Sequence, residues 1–115
     1  MNQKLYQCFK TELGQANTSI NIGDFQRCWY HLERAHILGQ PYPIPHSVVH
    51  WKMLCFGFKV KNYREVVGQL PRLIFGGIKS LVGTVPIGNT GGANVPALKP
   101  MDIPPDLKLI IGQNR

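Results

Sequence analysis

Three prolines in five residues, Pro41, Pro43 and Pro45, interrupt a stretch whose apolar residues recur at helical spacing on either side. No single helix passes through them, because each proline ring removes an amide donor and clashes with the preceding turn. Asp24 to Val60 therefore reads as two helices joined by an elbow, and this stretch holds all four histidines. Asp24 stands as the N-cap of the first helix and Gly39 as its stop, while Pro45 takes the first position of the second. An elbow of about six residues folds its two helices back as an antiparallel hairpin.

At about 100° per residue, Phe25, Trp29, Leu32 and His36 fall on one line of the first helix, flanked by Cys28 and Ala35. Arg27 and Arg34 face the other way, and His31 points away from the stripe. Glu33 lies one turn before His36 at the margin of the apolar face. On the second helix His46, Val49, His50, Met53, Gly57 and Val60 share a line. Hairpin geometry sets His36 level with His46, and His50 near Glu33. The candidate metal ligands are thus Glu33, His36, His46 and His50, with His31 in reserve. Imidazoles and a carboxylate suit divalent metals, and His-x-x-x-His is the usual way a helix offers two nitrogens to one ion. Zinc fits this set best; copper, nickel, cobalt and iron are also compatible. A single histidine on an apolar face is more often a hydrogen-bonded core residue. Three on facing helices leave several buried nitrogens to satisfy, which one ion does at once.

A chain of 115 residues with 43% hydrophobic content makes one small domain. Three cysteines, an odd number without a charged-then-apolar leader, point to free thiols at Cys8, Cys28 and Cys55 and to a reducing cytoplasm. The longest uncharged stretch, Ser80 to Leu98, is broken by glycines and prolines, so no transmembrane helix is expected. The net charge of +7 gathers partly at Lys52, Lys59, Lys61 and Arg64, near Trp51, Phe58 and Tyr63. No nucleic-acid motif accompanies these residues, so a solvated basic face is the reading and nucleic acid is not an expected partner.

The N-terminal segment places Leu5, Cys8, Phe9, Glu12, Leu13 and Ala16 on one line, a helix predicted to end near Gln15 to Asn17. Glu12 is expected to pair with Arg27 or to lie exposed. Asn62 with Glu65 three residues on resembles a capping box, and opens a fourth helix along Val66, Leu70, Leu73 and Ile74 that ends near residues 81–83. The predicted fold is all-α: four helices as two antiparallel hairpins over residues 1–83. An extended proline- and glycine-rich arm follows over residues 84–115, packed on the helices or on a second subunit. A short apolar helix or strand is allowed only near Asp106 to Ile111. Gly88 to Asn94 lacks the lysine of a phosphate loop and reads as a tight turn.

Setting GDFQRCWYHLERAHIL over KNYREVVGQLPRLIFG pairs Asp24 with Asn62, Phe25 with Tyr63, Leu32 with Leu70 and Arg34 with Arg72. The offset resembles that of tetratricopeptide-type helical hairpins, although too few repeats fit for a solenoid. The runs HLERAHILGQ, HSVVHWKML and VPIGNTGGANVPALKPM resemble a family of short bacterial proteins of unknown function, along nearly the whole chain. The resemblance implies a metal-related role, since genes of that family often sit beside heavy-metal efflux and metal-responsive regulator genes. The family pattern includes the positions of His31, His36, His46 and His50. The expected function is transition-metal binding, sensing or delivery in the cytoplasm. Two rivals stand beside it. One is a helical interaction module with structural histidines, whose partner surface is formed by Trp29, Trp51 and the arm. The other is a small metal-dependent hydrolase using Glu33 as base.

Overall fold

The computed structural model describes residues 1–70 and 101–114, and among them the chain is all-helical. The elements are α1 (Gln3–Asn21), α2 (Phe25–Gly39), α3 (Pro43–Lys59), α4 (residues 63–70, as far as it is described) and α5 (Pro105–Gln113). The expected end of α4 and the Gly88 to Asn94 turn lie outside the described residues.

Asn2 caps α1, its Oδ1 accepting from the Leu5 amide at 2.8 Å. The helix runs past the predicted stop at Gln15 to Asn17. The Thr18 hydroxyl donates to the Gly14 carbonyl at 3.0 Å, which keeps its bonding inside the helix. Ala16 and Ser19 are buried, so packing carries the helix onward. It ends in a Schellman turn at Gly23. The Gly23 amide donates to the Ile20 carbonyl and the Asp24 amide to that of Ser19, with Gly23 at φ +81°. Asp24 then caps α2 at once, accepting from the Arg27 amide at 3.1 Å.

The link from α2 to α3 is shorter than the sequence suggests, because Pro43 and Pro45 both lie inside the first turn of α3. That turn has no intrahelical acceptors for its first amides, so two missing donors cost nothing. The first α-helical bond runs from His46 to the Tyr42 carbonyl at 2.9 Å. Gly39 permits the closeness: a Cβ there would stand 2.9 Å from Phe9 Cε2 and 3.1 Å from Pro45 Cβ.

A second Schellman turn ends α3, with Asn62 donating to Gly57 at 2.8 Å and Lys61 to Phe58 at 3.2 Å. Here the left-handed position is Lys61, at φ 58°. A side chain there costs on the order of 1 kcal/mol relative to glycine. A Cβ on Gly57 would meet Val66 Cγ2 at 2.9 Å, so α4 lies directly over the last turn of α3.

Helix α2 is the centre of the molecule and packs on α1, α3 and α5. The core joins Leu5 and Phe9 of α1, Leu32, Ala35 and Leu38 of α2, Val49 and Met53 of α3, and Leu107 of α5. A helix covered on two sides buries more than one stripe, which corrects the expectation for His31: it is buried. The C-terminal stretch is not extended throughout. Its last described part is α5, where Leu107 enters the core and Asn114 accepts at its carbonyl from Asn2 Nδ2 at 2.7 Å. No described helix is long and apolar enough to cross a membrane.

Candidate metal centre

His36 sits in the last turn of α2, where outward-facing carbonyls favour positive charge. His46 and His50 stand one turn apart near the start of α3, on the face turned to α2. The tight link at Gly39 sets the three side by side, all buried. Their Nε2 atoms form a triangle: 3.1 Å between His36 and His46, 3.2 Å between His36 and His50, 2.9 Å between His46 and His50. The rings meet edge-on or tilted rather than stacked, with centroids 4.6–4.9 Å apart.

The protons on these rings can be assigned by following a chain of donors from α4. The amide nitrogen of Gln69 donates to Glu65 Oε2 at 2.6 Å, and a carboxylate oxygen accepts. That orientation turns the Gln69 carbonyl toward His50, whose Nδ1 lies 2.5 Å away. His50 therefore carries its proton on Nδ1 and presents a lone pair at Nε2. In a triangle of three nitrogens with one fixed as acceptor, neutral rings cannot satisfy every edge. At least one pair sets lone pair against lone pair, or N–H against N–H. A cation at the centre removes the conflict on all three edges.

The dimensions fit such an ion. Nitrogens bound at about 2.0–2.1 Å stand roughly 3.3 Å apart at tetrahedral angles and roughly 2.9 Å apart at right angles. The observed edges fall between those limits. Three protein nitrogens leave at least one coordination position for another ligand, while Gln69, itself held by Glu65, fixes the His50 ring. The thioether of Met53 accepts from Gln69 at 3.5 Å and packs beside the pair.

The other expected ligands are placed elsewhere. Among the described residues the converging ligand atoms belong to His36, His46 and His50, and Glu33 is not among them. Glu33 lines an open cleft with Arg27, Trp29 and Tyr30 at the far edge of α2. His31 faces α1, where its Nδ1 meets Glu12 Oε2 at 2.7 Å. The other oxygen of Glu12 accepts from Arg34 Nε at 2.8 Å, not from Arg27 as the sequence suggested. Arg34 also forks onto both oxygens of Asp106 in α5. The hydrogen bond to Asp106 holds the Arg34 guanidinium above its ordinary pKa, against the effect of burial and with help from Glu12. The same hydrogen bond holds the Asp106 carboxyl below its ordinary value.

Sequence reasoning missed Glu65 and Gln69 as part of the site. Their four-residue spacing on a helix whose neighbours Val66 and Leu70 are apolar was the available signal. Glu65 had an ordinary explanation as a capping residue, and its amide does accept that arrangement by donating to Asn62 Oδ1 at 3.2 Å. Its side chain, however, turns to Gln69.

No curated protein and no solved structure matches the chain. A family model does, over residues 3–111, and with it the metal-ligand geometry acquires a family setting without a known activity: the chain belongs to the family described as protein of unknown function DUF3703.

Proposed function

We propose that this protein binds one divalent transition-metal ion, zinc in the first instance, through the Nε2 atoms of His36, His46 and His50, to store, sense or deliver it in the cytoplasm. The observation that carries the reading is the triangle of buried imidazole nitrogens with edges of 2.9–3.2 Å, one of them held as a lone pair by Gln69. Glu33 is left out of the proposed set because its carboxylate does not join the converging atoms. Water completes the coordination, and a bound ion in this buried position favours binding over turnover of a substrate. The three free cysteines agree with a reducing compartment.

The test is elemental analysis of untagged protein purified without chelator, together with zinc titration of the native chain and of His46→Ala and His50→Ala. About one equivalent of metal in the native protein, lost from both variants, supports the reading. A native protein that neither retains metal nor binds added zinc, copper, nickel, cobalt or iron overturns it. The histidines would then be structural, and the helical interaction module with tetratricopeptide-like pairing would replace it.

A further inference from the structure

Helices α1 and α3 both lean on α2, and two open cavities of about 510 and 200 Å³ run between them. The cavities share Leu13, Asn17 and Lys52 as lining residues, so they form one groove. Its α3 wall includes the exposed residues Ile44, Val48, Trp51 and Cys55, and Phe58 continues the same line beyond the cavities, on the side of α3 away from the histidines. Ile44 is 77%, Trp51 55% and Phe58 57% exposed. Their spacing of four, three, four and three residues is that of a coiled-coil seam, and at 1.5 Å per residue it extends for about 21 Å. Across the groove Tyr6, Leu13 and Ile20 repeat every seven residues along α1. An apolar stripe of this length on a helix is the form of surface that receives another helix.

Charge selects the occupant. The charged residues among the described lining are Lys10, Lys52 and Lys59, with no aspartate or glutamate. Helix α3 itself contains no acidic residue. A second copy laid seam to seam would set Lys52 and Lys59 against their own equivalents. Residues 71–100 are no better matched, since they carry Arg72, Lys79 and Lys99 and no acid. The floor at Ala16, Cys28 and Leu32 is apolar, suited to side chains rather than phosphates. We propose that the groove between α1 and α3 docks an acidic amphipathic helix of a partner protein, with the partner's apolar seam on Val48, Trp51 and Phe58 and its carboxylates on Lys52 and Lys59.

The probe is a fluorescein-labelled helix about three heptads long with leucine at the seam and glutamate beside it. Its counterpart has lysine in place of glutamate, and both are titrated against the full chain by anisotropy. The proposal expects the acidic helix to bind at least tenfold more tightly than the basic one and to slow alkylation of Cys55. Trp51→Ala should weaken it at least fivefold, and Lys52→Glu with Lys59→Glu should invert the preference, each variant keeping its native helical circular dichroism. Equal binding of both helices, binding of neither, or binding indifferent to these substitutions overturns it. So does a native dimer that Val48→Asp makes monomeric, or tighter binding of anionic vesicles or single-stranded DNA lost in Trp51→Ala.

Discussion

Helix α2 carries two buried histidines five residues apart, and they have opposite surroundings. His31 meets α1, where a carboxylate accepts a hydrogen bond from its Nδ1 and Arg34 donates to the same carboxylate, while its Nε2 is buried without a hydrogen-bond partner among the described residues. His36 meets α3, where its Nε2 lies against two more imidazole nitrogens. At His31 the partner is already an anion, with a guanidinium beside it. Three imidazole nitrogens converging on one point could hold a cation, which is what separates a candidate ligand cluster from an ion-pair network. Burial and residue type alone do not distinguish the two; the identity of the facing atoms does.

The sharpest way to break this comparison is to exchange histidines. His36→Ala or His46→Ala should lower zinc affinity at least a hundredfold, whereas His31→Ala should leave it within about threefold, read by competition with a chromogenic chelator. At zinc a thousandfold above its dissociation constant, the native chain should gain about 4 kcal/mol of stability and the cluster variants almost none. Equal losses from His31→Ala would mean that the two clusters act as one.

On the other side of α2, Glu12→Ala removes the acceptor shared by His31 and Arg34. The expected loss is about 2–3 kcal/mol in urea unfolding, since it leaves a largely buried guanidinium with fewer partners. Zinc stoichiometry should not change. A Glu12→Ala protein as stable as the native one would show that this network only decorates the helix.

Gln69→Ala tests whether α4 tunes the metal site. It should weaken zinc binding about tenfold or more, on the scale of other groups that orient a ligating histidine. Gln69→Glu, which keeps an acceptor for His50, should restore part of that loss unless repulsion from Glu65 prevents it. Because the site needs unprotonated imidazoles, all affinities should fall as the pH is lowered.

The smallest effect belongs to the rim of the ion-pair network. Asp106 titrates below its ordinary value in the folded chain because Arg34 donates to it. Its contribution is therefore fully present above the ordinary carboxylate range and disappears as pH falls through the lowered folded value. Asp106→Asn should cost roughly 0.5–1 kcal/mol at pH 7, and the difference from the native chain should shrink in acid. A gap that widens on acidification would contradict that sign.

Local rules determined much of what is seen. Asp24 and Gly23 bracket the start of α2, the spacing of His46 and His50 places both on one helix face, and the prolines forbid a single helix through residues 41–45. Those features depend on neighbours within a turn, so the chain itself carries them. Tertiary structure decided the rest. The helical wheel placed His36 rather than His31 toward His46 and His50, but it could not show that His31 is buried too, because a second side of α2 is covered by α1. Close approach at Gly39 and Gly57 set the heights of α3 and α4, and so placed Gln69 on His50 while leaving Glu33 at the far edge. Arg34 could reach Asp106 only because α5 returns to α2 from 72 residues away. Such contacts arise from packing between distant segments, and no local pattern of residues encodes their partners.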